Sequence, residues 1–263
     1  MLFQSGIAFC ATLASLTSFA TALPSSRQAK DKPAAFFLAG DSTTAVQSAG
    51  GGGWGNGFLN TALCKSATGK NFGHNGATTV SFREGGDWAA VLDAAKAALP
   101  NYTPYVTIQF GHNDQKPAKN ISMAQLTANL VAFVEEVRAV PATPILVTSL
   151  SRRRFRDTTG LVNENLADVT AAAKEAAKQS GADIIDLNAA STKYLNSIGA
   201  EKAATYNLDA DDFTHLNAEG SVVFGNMVAM LLDEGVEEVM QWVKPVKTVV
   251  DAIKKGEYIF PKL

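Results

Sequence analysis

Ser42, Asp212 and His215 are the residue types that acyl transfer to a hydroxyl needs, and the spacing of the last two suits the task. A serine hydroxyl is a poor nucleophile near neutral pH unless an adjacent base takes its proton. In Asp212-Phe213-Thr214-His215 a carboxylate stands three residues before an imidazole. That is close enough to accept one ring N–H and leave the other nitrogen free as the base. Taken singly, each signal is ordinary. An Asp-x-x-His segment also serves as a surface pair or cap, and Gly40-Asp41-Ser42 also suits a turn whose Asp and Ser bond to their own backbone. Scarcity adds weight: the chain has three histidines, His74, His112 and His215, and all three fall in polar stretches.

Ser42 follows a short apolar run, 35–39, too brief for a helix, which reads as a buried strand ending in a tight turn. Gly40 and Thr43 leave room for a substrate carbonyl, and backbone N–H groups beyond a strand end are available to an anion. Further strand signals lie at 71–77, polar and weak, and at 104–110, 144–150 and 182–187. Helical periodicity runs from Trp54 to about 66, over 87–99, over 122–139 behind a Ser122 cap, over 163–180 and over 218–232, with a last helix in the tail from 244. Gly50 to Gly53 lacks the Gly-Lys-Ser/Thr ending of a phosphate-cradling loop and reads as a flexible connection, which discounts nucleotide binding. Strands alternating with helices imply an α/β fold with a parallel sheet covered on both faces. Right-handed crossovers put the strands' carboxyl ends on one edge, where open α/β sheets bind ligands. Ser42, Asn75-Gly76, His112-Asn113-Asp114 and the stretch 151–154 all follow predicted strands, so all of them belong to that edge.

At 263 residues, 46% of them hydrophobic and 18% charged, the chain can bury a sizeable core within one domain. A net charge of −2 gives no excess of Lys and Arg to neutralise phosphates, which argues against nucleic acid as a partner. Residues 1–22 carry no charged side chain, run apolar with Ser and Thr, and close on Ala20-Thr21-Ala22. This predicts a signal peptide over 1–22, a mature domain over 23–263, and a secreted, extracellular protein. The apolar stretch is too short and too interrupted to span a membrane. Cys10 falls inside the presumed signal, so Cys64 is left without an intramolecular partner. It sits in an apolar helical pattern and reads as a small buried hydrophobe. Asn101-Tyr-Thr and Asn120-Ile-Ser are candidate glycosylation sites, the first weakened by Pro104.

Four stretches in order, Gly40-Asp41-Ser42-Thr43-Thr44, the glycine of Asn75-Gly76, Gly111-His112-Asn113-Asp114, and Asp212 to Asn217, together resemble the SGNH (GDSL-type) hydrolase family. Within it the chain looks most like the rhamnogalacturonan acetylesterase group, secreted enzymes acting on acetylated pectin. The resemblance implies a three-layer sandwich of the flavodoxin-like kind, with a five-stranded parallel sheet flanked by helices. It implies no cofactor and no metal, and an acetylated polysaccharide substrate; a monomer is expected. Carried over residue by residue, it makes Ser42 the nucleophile, His215 the base and acid, and Asp212 the residue that orients His215. The Ser42 and Gly76 backbone N–H groups and the Asn113 amide would form the oxyanion hole, while Asp41, Thr43, His112 and Asp114 would hold the loops by hydrogen bonds.

The chain departs from that group after Gly76, where arginines give way to Ala77-Thr78-Thr79-Val80. Arg152, Arg153 and Arg154 are candidates to supply the missing charge and bind a uronic-acid backbone, since guanidinium pairs well with carboxylate. The same residues leave other assignments open: a xylan or other carbohydrate acetylesterase, or a short-chain lipase. From other classes there remain a metal-dependent phosphoesterase using Asp41 and the Asp/His residues, and a carbohydrate-binding protein without catalysis.

Overall fold

The computed structural model describes Met1, Leu2 and residues 32–262. Apart from Met1 and Leu2, the expected signal peptide lies outside the described residues.

The strand before Ser42, β1 (Ala34–Gly40), is buried along its whole length because it has a neighbour on each side and helices on each face. β2 (Thr68–Asn71) pairs with one edge of β1 and β3 (Thr103–Gln109) with the other, followed by β4 (Thr143–Val147) and β5 (Asp183–Ile185), giving the order β2-β1-β3-β4-β5 with every pair parallel. Alternate residues of β1 serve opposite layers, as the period of two requires. Phe36 and Leu38 join one core with α1 (Gly55–Thr61), α6 (Leu187–Ala204), α7 (Ala218–Gly235) and α8 (Lys247–Lys255). Ala35, Phe37 and Ala39 join the other with α2 (Thr79–Glu84), α3 (Asp87–Ala98), α4 (Met123–Ala139) and α5 (Ala167–Ser180). This is a three-layer α/β sandwich. Among the described residues no helix is long and apolar enough to cross a membrane.

Three local expectations fail for physical reasons. The second strand is Thr68–Asn71, not 71–77: an edge strand half exposed along its length has no apolar run to announce it. The first helix stops at Thr61 instead of continuing to 66, because the chain turns out to meet the 241–244 segment, with Cys64 N donating to Trp242 O (3.0 Å) and Lys244 N to Ala62 O (2.7 Å). Cys64 is therefore half-buried beyond the helix, not inside it. The glycine segment is not a flexible connection either: Gly51, Gly52 and Gly53 are buried. A Cβ on Gly53 would lie 1.8 Å from Thr43 O, so only glycine permits this approach. Helices α2 and α6 gave no readable periodicity; the second contains a break at Gly199.

Candidate active site

The chain leaves β1 toward one side of the sheet and β3 toward the other, and the crevice between their carboxyl ends is where a sheet of this order binds ligands. The turn after β1 fills one side of it. Thr44 N and Ala45 N both donate to Asp41 O at 3.1 Å. Asp41 Oδ1 accepts from Thr43 N (2.9 Å) and Thr43 Oγ1 (2.8 Å). Gln109, the last residue of β3, locks this turn to the sheet: its amide donates to Thr43 Oγ1 (2.6 Å) while its carbonyl accepts from Trp54 Nε1 (2.5 Å). So fixed, Ser42 opens onto a cavity of about 940 Å³.

Across that cavity His215 Nε2 lies 2.8 Å from Ser42 Oγ, although the two are 173 residues apart. The 212–215 segment is a tight turn built on Asp212, whose Oδ1 accepts from Thr214 N (2.9 Å) and His215 N (2.8 Å) while Oδ2 meets His215 Nδ1 at 2.7 Å. Desolvation raises the Asp212 carboxyl, but the hydrogen bonds from His215 and Thr214 outweigh it and hold the group below its ordinary range. The bond at Nδ1 directs Nε2 toward the serine, so the arrangement can pass a proton from Oγ to the ring. One main-chain link sets the spacing: Leu216 N donates to Gly52 O (2.9 Å) while Gly53 packs on Thr43. The loop carrying the imidazole and the turn carrying the hydroxyl thus share a support.

The loops after β2 and β3 bring Gly76 and Asn113 to the same cavity. Gly76 adopts φ +79°, a left-handed conformation that favours glycine. Asn113 has its amide oriented from both ends, Oδ1 accepting from Lys116 Nζ (2.6 Å) and Nδ2 donating to Ala77 O (3.0 Å). That leaves its second N–H, together with the Ser42 and Gly76 backbone N–H groups, with no acceptor among the described residues. Asp114 ties the two loops together by accepting from Thr79 N (2.9 Å) and Thr79 Oγ1 (2.6 Å). Thr79 belongs to the segment that departs from the expected arginines, so that segment starts α2 and anchors a loop.

Asp41, Thr43 and Asp114 hold loops by hydrogen bonds, but His112 does not. Its ring is buried beside the Leu150 backbone, with neither nitrogen in good hydrogen-bond geometry among the described residues and Nδ1 standing 3.7 Å from Asp41 Oδ2. Burial, then the charge of Arg152, drives its imidazole well below the usual range, and burial pushes the Asp41 carboxyl up to about 6.

The three arginines separate. Arg152 and Arg154 line the cavity, as do Asp209 and Asp211. Arg152 is half-buried with no hydrogen-bond acceptor among the described residues, and Arg154 lies over the Phe213 ring at 5.1 Å. Arg153 does not fit the expectation of a substrate contact, because it is buried behind the 212–215 turn at 1% exposure. The candidate sequon asparagines, Asn101 and Asn120, are both exposed. Sequence reasoning passed over Lys116 and Gln109. Gln109 had a usable signal, a lone amide closing an otherwise apolar strand. Among the described residues no group of three or more His, Cys, Asp or Glu side chains is placed to hold a metal ion.

Comparison with known proteins agrees with this architecture. Residues 38–223 match the GDSL-like lipase/acylhydrolase family. The chain is 32% identical over 222 residues to the rhamnogalacturonan acetylesterase RhgT of Bacillus subtilis, covering 79% of this chain and 91% of that one. It is 29% identical over 211 residues to the probable rhamnogalacturonan acetylesterase YesY of the same organism, covering 77% and 92%. Among solved structures, YxiM of B. subtilis superposes with a TM-score of 0.67 at 23% identity, over 78% of this chain and 57% of that one. The acetylxylan esterase Axe2 of Geobacillus stearothermophilus does so with a TM-score of 0.55 at 17% identity, over 78% and 94%.

Proposed function

The chain belongs to the GDSL-like lipase/acylhydrolase family and is a carboxylic ester hydrolase, and from that premise we propose that it removes acetyl groups from a pectic polysaccharide through an acetyl-enzyme on Ser42. His215 Nε2 takes the Oγ proton as Oγ attacks the acetyl carbonyl carbon. Negative charge then gathers on the former carbonyl oxygen, where the Ser42 and Gly76 N–H groups and the Asn113 amide receive it. As the intermediate collapses, His215 returns the proton to the departing sugar oxygen. A water, deprotonated in turn by His215, attacks the acetyl-enzyme and releases acetate, which restores Ser42. Asp212 holds the ring tautomer and offsets the imidazolium charge. The observation that carries the reading is the continuous contact from Asp212 Oδ2 through the ring to Ser42 Oγ, 2.7 and 2.8 Å.

Two things support an acetylated rhamnogalacturonan as substrate: the names of the relatives RhgT and YesY, and the presence of Arg152 and Arg154 in a cavity that also carries Asp209 and Asp211. Arg152, with no acceptor for its guanidinium among the described residues, and Arg154 are suited to carboxylates of uronic acid units near the acetylated one. Such a substrate lies outside cells, and the leader-like composition of residues 1–22 supports export of the protein as part of this reading.

The test is acetate release from acetylated rhamnogalacturonan, acetylated homogalacturonan and acetylated xylan by the wild type and by Ser42→Ala. Release confined to pectic substrates and abolished by Ser42→Ala is the expected result. Faster release from xylan would move the substrate to a neutral backbone, and activity surviving in Ser42→Ala would overturn the assignment of the nucleophile.

A further inference from the structure

We propose that Arg153 is a positioning residue for His215, its guanidinium holding the carbonyls of the 212–215 turn so that the ring faces Ser42. Taking 212–215 as the turn that carries the base rests on the function proposed above. The turn has two faces. Its amides converge on the Asp212 carboxylate, as Thr214 N and His215 N both donate to Oδ1. Its carbonyls converge on Arg153: Nη2 donates to His215 O (2.5 Å) and Asp212 O (3.3 Å), Nη1 to Thr214 O (3.4 Å), and the Arg153 backbone N–H to Phe213 O (2.8 Å). One residue therefore serves four consecutive peptide oxygens. Its remaining donor, Nε, is fixed by Asn207 Oδ1 at 2.7 Å.

Leu208 N also donates to His215 O (2.9 Å), but Asp212 O and Thr214 O have no backbone donor among the described residues, and buried carbonyls left unpaired cost free energy. A planar guanidinium with donors along two edges can meet several at once, whereas an ammonium presents one compact point. Burial draws the Arg153 pKa down to about 9, with the Asp212 carboxylate countering, so the group stays charged at neutral pH. The cation is sealed beneath the turn and does not line the cavity, which separates it from Arg152 and Arg154.

Arg153→Lys and Arg153→Met are to be assayed on a small aryl acetate, each well below its own melting temperature. Val134→Ala, a core truncation in α4 on the opposite face of the sheet, serves as a stability control. The expected result is a kcat lower by roughly ten- to a hundredfold, the scale of a misplacement of about 1 Å, with KM unchanged. The far-downfield NMR proton of the His215–Asp212 bond should also be lost or broadened, while Val134→Ala melts early but keeps both kcat and that proton. If the Arg153 variants do not fold, Asn207→Ala decides, with a smaller fall in kcat at constant KM expected. Arg153 variants that melt early yet match Val134→Ala in kcat and keep the proton would overturn the inference, as would full kcat in Asn207→Ala when it alone is available. Ser42→Ala run alongside separates the two claims: an inactive Ser42→Ala beside a fully active Arg153→Lys sinks only the positioning role, and an active Ser42→Ala sinks the reading beneath it.

Discussion

The pair His215–Asp212 and the pair His112–Asp41 each bring an imidazole toward a carboxylate at the same edge of the sheet. In the first the groups touch, 2.7 Å apart, with side chains 21% and 25% exposed. In the second they stand 3.7 Å apart at 3% and 0% exposure. Contact and partial hydration favour the ionised carboxylate, and Asp212 is held below its ordinary range. Burial without close contact does the reverse: Asp41 rises to about 6 and the His112 ring falls well below its usual range, so burial opposes the charge of each. The same two residue types thus yield one pair able to carry a proton and another that resists charge. What separates them is about 1 Å of contact and access to water.

His215→Ala should break this contrast most severely, with kcat on an aryl acetate falling about a millionfold, while His112→Gln keeps most of its activity. Comparable losses in the two variants would erase the distinction. Asp212→Asn comes next. Its Oδ1 can still accept from the turn, but the ring tautomer is lost, and kcat should fall by about 10⁴ in steady-state assays. An unchanged kcat would mean that Asp212 does not orient the ring. Asn113→Ala, beside His112 in the chain, should cost about 10²- to 10³-fold in kcat, showing that this stretch contributes an amide and not an imidazole.

The smallest effect is on stability. The folded pKa of Asp41 is about 6 against an ordinary 3.8, so between those values the folded state binds a proton that the unfolded chain has released. Stability therefore falls as pH rises through that window, with about 3 kcal/mol lost above it. Asp212 acts in the opposite sense: its contribution is present above the ordinary carboxylate range and disappears as pH falls through its lowered value. In urea unfolding, Asp41→Asn should exceed the wild type by about 3 kcal/mol near pH 7.5 and converge with it near pH 4. Equal differences at both pH values would show that the Asp41 carboxyl is not the source.

Much of the sheet and the contact between Ser42 and His215 could be read from the chain because short polar motifs punctuate apolar strands. What stayed hidden depended on contacts distant in sequence. Three adjacent arginines carry no information about which one turns inward, and the loop geometry that buries Arg153 is set by residues 207–215. The edge strand Thr68–Asn71 lacks an apolar face because only its neighbour β1 is enclosed. Gly51 to Gly53 resemble a linker in composition, yet their missing side chains are what let two loops meet.

That meeting has a consequence for the repertoire of the scaffold. The hydroxyl and the imidazole are registered to each other by main-chain joinery next to the sheet, ahead of any encounter with a saccharide. Serine-directed reagents should therefore label the resting protein at full speed without carbohydrate. Remodelling the outer rim, such as the exposed stretch around 156–161, would change which polymers can settle without retiming the chemistry beneath.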